Sequence, residues 1–556
     1  MRVAITRSSL ALTLVLTFPP VSGMEPGDAG REQVERRSVD VDRPEPGDPD
    51  LRLDAGIPPG TGVSPPGLDL RLPPEWQITE TAAREPLELS VENAVFLALR
   101  NNRDLAVQQL EPLIAGTFEA VERAEFDPVV FAEAAMGRDN VVRQSTDIQE
   151  EVDVASRTEH VEGGIRQRLA TGTELELLIS SDHFDSDRTA EQFSSRVGVS
   201  LTQALLRGAS RESNLARLRQ AELDTLASVY ELRGFAEVLV ADVELTYWDY
   251  VLADSQTEIF EEALAVAEKQ LEETMRRIEV GDRPETEETA ARAEVALRRQ
   301  GLINARNERA RSRMSLLQLI NPPGAGWAAP VNALDSPEII AFPADPVEDL
   351  IALAQRLRAD LNEARLRVQR GQLEVVRTRR GTLPRLDLFV TLGKTGYADS
   401  FGSAWQDIDG GGYDFRAGLR LESELGRRAA RAEHERAGLS RQQALEAVAN
   451  LSHLAALDVQ LAWLEVERTR EQINATVVTR ELQEEVLRAE QARFRVGATT
   501  ALAVAQAQRD LLESQLEEVD ASVRYRQALT ELHLQSGTLL VRRGIEAPGA
   551  EEVVLR

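Results

Sequence analysis

The sequence contains no cysteine and few aromatic residues. Disulfides, cysteine-based zinc sites, thiol nucleophiles and a lipid-modified cysteine at the mature N-terminus are therefore excluded. Aromatic residues make up 4% of the chain against 42% for all apolar residues, a balance that fits long helical seams better than a bulky compact core. A basic surface is also missing. With a net charge of −29, we expect no nucleic-acid partner, because phosphates require a positively charged surface.

Sequence signatures of catalysis are missing as well. The sequence has no glycine-rich phosphate loop and no nucleophile elbow. Its five histidines are scattered without metal-ligand spacing: His160, His183, His434, His453 and His533. We therefore predict a protein that is not an enzyme and that uses no cofactor and no metal.

The N-terminal residues resemble an export signal. Arg2 and Arg7 precede an apolar stretch and a small-residue cleavage site, so we predict a signal peptide over residues 1–23. Residues 24–86 form an acidic arm rich in proline and glycine, with little apolar periodicity. No later segment offers about 20 consecutive apolar residues, so a transmembrane helix is not expected.

Two very long helices dominate the rest. Residues 211–280 contain no proline and carry apolar residues at spacings of three and four. At about 1.5 Å per residue this segment predicts a rod of roughly 100 Å. It ends at Gly281 and Pro284, and a return helix is predicted over 286–320. The same arrangement recurs as a helix over 427–496, a turn at 497–500 and a return helix over 501–536.

Before each long helix the apolar period changes from about 3.6 to 2. In the first half, strands are predicted within residues 129–205, separated by polar loops at 139–158 and 182–194. In the second half they are predicted at 386–394 and 413–422. Strands of about ten residues with one apolar and one charged face suit a membrane-spanning barrel. The same pattern also serves a soluble sheet with one wet face; the signal peptide and the polar loops favour the barrel.

An internal duplication organises the chain. Asp104-Leu105 matches Asp360-Leu361 at an offset of 256, and Gly281 matches Gly497 at an offset of 216. The difference of 40 residues predicts an extra hairpin in the first half, at 159–181, which either enlarges the barrel or forms a separate insertion. Too few strands are present for one chain to close a wide barrel, so we expect several copies to close it together.

The predicted domain boundaries follow from this duplication. The first repeat covers 87–321 with its turn at 281–285, the linker 322–346, the second repeat 347–541, and the C-terminal tail 542–556.

Taken in order, several motifs resemble the outer-membrane efflux (TolC-like) family of bacterial export channels. They are LSVENAVFLALRNNRDL, FDP before the first strand, VSLTQALLRG, RRIEVGD, ARFRVGATTALAVAQAQRDLLESQ and YRQALTELHLQSGTL, and they span about residues 86–541. The resemblance implies a mostly helical fold with β-structure. Three copies would share one β-barrel in the outer membrane, continuous with a long α-helical barrel across the periplasm.

The resemblance also implies sites and partners. A periplasmic adaptor protein would dock at the helix turns through Val280, Gly281, Val496, Gly497 and Thr500. An inner-membrane pump or ABC transporter would complete the assembly, and type I secretion is as compatible as drug efflux. Family members often narrow the pore with carboxylates after the second turn, where this chain has Ala503 and Gln506. We therefore place a candidate constriction on the first turn, at Asp282, Glu285, Glu287 and Glu288, although these acids equally suit a helix N-terminus.

A different class of protein shares the long antiparallel helices. A periplasmic coiled-coil adaptor or structural protein would have no membrane barrel, and it would need neither paired strands with a lipid-type face nor two repeats in register.

Overall fold

The computed structural model describes residues 86–144, 151–187, 189–281, 284–322, 327, 329–337 and 346–555; at 141–144, 151–153 and 189 it describes the backbone only. The predicted signal peptide, and the predicted arm up to residue 85, lie outside the described residues.

The first repeat opens with a short strand and a broken helix. These elements are β1 (Leu87–Leu89), α1 (Val91–Asn101), α2 (Arg103–Gln108) and α3 (Glu111–Ala124). The Ser90 side chain caps α1 by accepting from the Asn93 N–H. Asn102 interrupts the helix and caps α2, since its side chain accepts from the Leu105 N–H at 2.9 Å. A second interruption falls just before Pro112, which lies in the first turn of α3, where no N–H is required.

Four strands and a helical hairpin complete the first repeat. The strands are β2 (Val129–Gln144), β3 (Glu151–Arg168), β4 (Thr173–Ser186) and β5 (Thr189–Ala204). The helices are α4 (Arg211–Asn214), α5 (Ala216–Glu279) and α6 (Thr286–Ile320). α5 has 64 residues and is about 96 Å long. Residues 139–144, 151–158, 182–186 and 189–194 are strand, so the prediction of polar loops there is wrong: polar residues continue the strands beyond their apolar part.

The second repeat has the same order with fewer strands. After β6 (Val331–Ala333) come α7 (Val347–Leu357), α8 (Ala359–Gly381), β7 (Arg385–Ala398), α9 (Phe401–Gln406) and β8 (Tyr413–Glu422). The helices α10 (Arg428–Arg495), α11 (Ala501–Gln535) and α12 (Leu539–Arg542) follow. β6 lies within the segment predicted to be a linker and pairs in parallel with β1.

Six strands form one antiparallel sheet in the order β2-β3-β4-β5-β7-β8. β3 and β4 therefore lie inside the sheet, which settles that the extra hairpin is not a separate insertion. The register aligns apolar residues on one face: Leu177 lies opposite Val199, Leu201 opposite Val390, and Val390 opposite Ala417. This face stays exposed, with Val130, Met136, Leu177, Leu392 and Leu419 among its exposed members.

Two hydrophobic cores hold the helices together. One surrounds the middle of α5, where Tyr247 bonds to the Leu89 carbonyl at 2.9 Å and Tyr250 to the Val331 carbonyl at 2.6 Å. The other joins α7, α10 and α11. From Ala455 onwards, the buried residues of α10 alternate spacings of three and four, which is the seam of a coiled coil; they are Ala455, Val459, Ala462, Val466, Thr469, Ile473 and Thr476.

Within the described residues, no helix has both the length and the apolarity required to cross a membrane.

Candidate functional site: the paired helix turns

The turn between α10 and α11 is a glycine-dependent helix end. Gly497 has φ +74°, a conformation that glycine adopts without strain, and its N–H donates to the Phe494 carbonyl at 3.1 Å. The Ala498 N–H donates to the Arg493 carbonyl at 2.8 Å, which satisfies the last carbonyls of the helix. The next helix begins at once, because the Thr500 side chain accepts from the Ala503 N–H at 3.3 Å.

The turn between α5 and α6 has the same geometry at its start. Gly281 has φ +79°, and its N–H donates to the Ile278 carbonyl at 2.9 Å. Residues 282 and 283 lie outside the described residues, and Pro284 follows. The Glu287 N–H then donates to the Pro284 carbonyl at 3.1 Å, so α6 begins with a tight turn.

Both turns present a valine next to the glycine. Val280 and Val496 are each 79% exposed, and a Cβ on either glycine would meet no atom within 4 Å. The glycines are therefore needed for backbone conformation rather than for space. An exposed apolar residue on a rigid turn is available to a partner.

The three predicted acidic residues that the structure describes lie in three different settings. Asp282 lies outside the described residues. Glu285 is exposed and its side chain does not cap α6. Glu288 forms an ion pair with Arg292 at 2.5 Å, whereas Glu287 lines a cavity between the two helical hairpins. Glu285 thus lies at the N-cap of α6, and Glu287 and Glu288 lie in its first turn, where negative charge is favoured by the helix dipole.

Behind the turns the two hairpins contact each other. Gln270 and Gln508 form a hydrogen bond of 2.9 Å, and Arg509 approaches Glu294 at 3.6 Å. A cavity of about 370 Å³ lies between the hairpins; it is lined by residues of α5, α6, α10 and α11, including Phe494 and Val504. Sequence reasoning did not find this junction, because its members lie more than 200 positions apart.

The face of the sheet opposite the apolar one carries charges in pairs. Arg196 on β5 reaches across β7 to Asp414 on β8 with two contacts, at 2.6 and 2.8 Å. Gly393 lies beneath this pair, and a Cβ there would come within 2.6 Å of both side chains. Strand alternation, which puts charged residues on one side, was the signal that could have found this pair.

That polar face also repeats an aromatic arrangement. The Phe131 ring covers Gly164 and lies 5.6 Å from the Arg166 guanidinium carbon, and Phe389 has the same relation to Gly418 and Arg420. The cations remain on the polar face while the rings cover bare backbone. A sheet with one apolar and one charged face can separate lipid from water.

No group of three or more His, Cys, Asp and Glu side chains in the described part of the chain is placed to hold a metal ion.

Comparison with protein families gives a match over most of the chain. The family described as outer membrane efflux protein matches residues 95–322 and 350–538, well over half of the chain. No curated protein sequence matches the chain.

Solved structures share the fold. A membrane protein from Pseudomonas aeruginosa is 21% identical, with a TM-score of 0.61, and the match covers 80% of this chain and 93% of that one. The outer membrane protein VceC from Vibrio cholerae is 17% identical with a TM-score of 0.60, covering 80% and 96%. The open state of the Neisseria gonorrhoeae MtrE outer membrane channel is 18% identical with a TM-score of 0.57, covering 81% and 89%.

Proposed function

This chain belongs to the outer membrane efflux protein family, and from that premise we propose that it is the exit-duct subunit of a tripartite efflux or type I secretion system. Three copies form a passive channel, which a periplasmic adaptor opens at the helix turns. It spans the outer membrane, extends into the periplasm and catalyses no reaction.

One observation carries this proposal: a sheet with an apolar face and a charged face, joined to two helical hairpins about 100 Å long. The apolar face suits lipid, and the face with the Arg196–Asp414 pair suits a water-filled lumen. A sheet in lipid cannot leave its outer strands unpaired. Closure into a barrel by a homotrimer meets that requirement.

The far ends of the hairpins are the proposed adaptor site. Val280, Gly281, Val496, Gly497 and Thr500 present exposed apolar surface on turns that the backbone fixes. An adaptor that prefers the open arrangement of these helices would shift the channel towards it. An inner-membrane pump or ABC transporter would then supply both cargo and energy.

We place the pore constriction at the first turn. In a trimer, Asp282, Glu285, Glu287 and Glu288 would form rings of carboxylates in a narrow passage. Such rings attract cations and repel anions. Counted from the helix N-caps Glu285 and Thr500, the second turn has Leu502 and Ala503 at the positions that match Glu287 and Glu288, so the selectivity would come from one repeat.

A periplasmic adaptor or structural protein explains less. Such a protein has no use for an exposed apolar sheet face, and the family match favours a channel.

The test is export by cells. Deleting the gene should raise intracellular accumulation of exported dyes at least fourfold, and the wild-type gene should restore export. Protein extracted from outer membranes should have the mass of three chains and conduct ions in a planar bilayer. A monomer in the periplasmic fraction, with export unchanged by the deletion, would refute the proposal.

A further inference from the structure

We propose that a cavity between α5, α11 and α12 binds a small organic anion, in which a carboxylate or phosphate group is joined to a compact apolar part. α5 belongs to the first repeat, whereas α11 and α12 belong to the second. A ligand in this cavity would therefore contact both repeats. The cavity lies about 50 Å along α5 from the turn at Gly281, and its binding of a ligand does not depend on the proposed function.

The cavity has an apolar wall that the protein core holds in place. Its volume is about 320 Å³, at the lower end of the range for small-molecule sites. Trp248 of α5, Leu529 of α11 and Leu539 of α12 line it. Trp248 and Leu539 also belong to the larger hydrophobic core, where both are buried. This wall is therefore fixed by packing, and it suits a compact apolar or aromatic group.

The charged part of the lining is positive, although the protein as a whole is strongly acidic. Among the described residues, the lining contains three arginines and one carboxylate: Arg526, Arg542, Arg543 and Glu244. Two positive charges are thus in excess here, in a chain whose net charge is −29. Because charges interact more strongly where water is partly excluded, this excess favours an anion in the cavity.

The carboxylate in the lining already has partners, and it orients one of the arginines. Glu244 is 1% exposed. One of its oxygens accepts from Arg543 Nε at 2.6 Å, and the other accepts from the Thr530 hydroxyl at 2.8 Å. The two Nη groups of Arg543 donate to no described residue. A guanidinium held by its Nε presents a planar pair of donors that matches a carboxylate or a phosphate.

Arg526 is the second cation that a ligand would meet. Its guanidinium carbon lies 5.2 Å from the centre of the Trp248 ring, so charge and aromatic surface are presented side by side. Burial lowers the pKa of Arg526; Asp335 and Tyr525 raise this pKa, and Arg543 lowers it further. Two guanidinium groups that disfavour each other's charge are both stabilised when an anion binds next to them.

The matching positions of the first repeat do not provide such a site. Leu464 on α10 matches Trp248 at the offset of 216. Counted from the N-caps of the two return helices, Arg311 on α6 matches Arg526. The Arg311 side chain is 72% exposed. An arginine at this place on a return helix is therefore not sufficient, and α11 acquires the cavity through its contacts with α5 and α12.

The proposal can be tested by binding of benzoate, a carboxylate on a compact ring, to the full chain in lipid nanodiscs. Ligand-observed NMR should give a Kd on the order of 1 mM. Benzamide, which has the same shape without the charge, should bind about tenfold more weakly or worse, as expected when a hydrogen bond to a charged group is lost. Inorganic phosphate should bind more weakly than benzoate, because it leaves the apolar wall uncovered.

Three results with these probes would overturn the proposal. Equal binding of benzoate and benzamide would show that the positive charge contributes nothing. Tighter binding of phosphate than of benzoate would remove the role of the apolar wall. Absence of benzoate binding up to concentrations about tenfold above the expected Kd would remove the site itself.

Variants assign the binding to this cavity. Arg526→Gln should weaken benzoate binding about tenfold. Because this change also removes the contact with Trp248, Arg542→Gln is the second variant: Arg542 is exposed, and its replacement should weaken binding several-fold without disturbing the core. Arg311→Gln is the matched control and should leave the Kd unchanged. An unchanged Kd in both cavity variants, or an equal loss in Arg311→Gln, would overturn the assignment. Export takes no part in these measurements, so their outcome is independent of the proposed function.

Discussion

The two repeats of this chain agree in their helices and differ in their sheets. The return helices α6 and α11 each have 35 residues, and both turns carry an equally exposed valine beside a glycine of positive φ. In the described residues the first repeat supplies four strands to the shared sheet, whereas the second supplies two. The long helices set the length of the two helical hairpins, so both repeats keep them. The width of the sheet is free to change in one repeat alone.

The two hairpins also differ in the ion pairs that join their helices. Three ion pairs join α5 to α6: Arg299 with Glu268, Arg306 with Glu261, and Arg309 with Asp254. Their acids are spaced by seven residues, as on one side of a coiled coil. Arg480 of α10 pairs with Glu518 of α11. Exposed ion pairs of this kind contribute little individually, so the apolar seam remains the main source of stability in both hairpins.

The largest effect is expected at the turns that the repeats share. Gly497→Pro should abolish adaptor-dependent export while trimers still assemble, since proline fixes φ near −65° where the turn needs +74°. Gly281→Pro should act in the same way. Dye accumulation and the trimer band measure the two properties. Gly497→Asn is the control, because asparagine tolerates positive φ. Loss of trimers in Gly497→Pro would instead show that the turn is required for folding.

Converting the first sheet segment into the second should narrow the channel. A chimera in which residues 399–412 replace residues 143–196 would lose β3 and β4. Barrel diameter grows roughly linearly with strand number, so a trimer with four strands per copy should be about one third narrower than one with six. Electron microscopy of the trimers measures the diameter directly. An unchanged diameter would show that β3 and β4 lie outside the barrel wall.

Among the described residues, the buried ion pair of Arg233 with Glu237 on α5 has no counterpart at the matching positions of α10. Arg233 and Glu237 are 1% and 4% exposed, and Ala449 and His453 occupy the matching, exposed positions on α10. Burial raises the pKa of Glu237 from 4.5 to about 7, against the lowering effect of Arg233. Asp360 raises this pKa further and Arg358 lowers it. The raised pKa means that Glu237 favours folding most when it is protonated.

The pH dependence of stability follows from this pKa. The contribution is complete below pH 4.5 and is lost as pH rises through about 7, a difference on the order of 3 kcal/mol per chain. Glu237→Gln should remove this slope from thermal unfolding measured between pH 5 and pH 8 by circular dichroism. Glu222→Gln, exposed on the same helix, should leave the slope intact. If the slope of stability against pH persists in Glu237→Gln, other titratable groups cause it.

The smallest effect is expected from the acids at the first turn. Replacing Glu285 and Glu288 together by glutamine should lower the cation-over-anion permeability ratio of the adaptor-opened channel about two- to threefold. Ala503→Glu, which adds a carboxylate to the second turn, should raise the ratio. The reversal potential in a salt gradient measures both. If the permeability ratio of the double variant is unchanged, these acids only stabilise the N-terminus of the helix.

Much of this architecture could be predicted from residue patterns. Glycine and proline positions marked the turns, and the constant offsets of 256 and 216 marked the duplication and its extra hairpin. Strand ends were misjudged at 139–144, 151–158, 182–186 and 189–194, because polar residues continue the strands beyond their apolar part. Of the predicted site, the exposure of Val280 and Val496 is visible in the structure, whereas their role in docking stays a prediction.

The sequence by itself determined the period of each segment, the places where helices end, and the existence of two repeats, because these depend on residues close together along the chain. Only the tertiary structure decided that β3 and β4 lie inside one sheet, that Arg196 reaches Asp414, and that Gln270 bonds to Gln508. Those facts depend on contacts between distant positions. Local propensity does not encode such contacts, and packing alone selects among them.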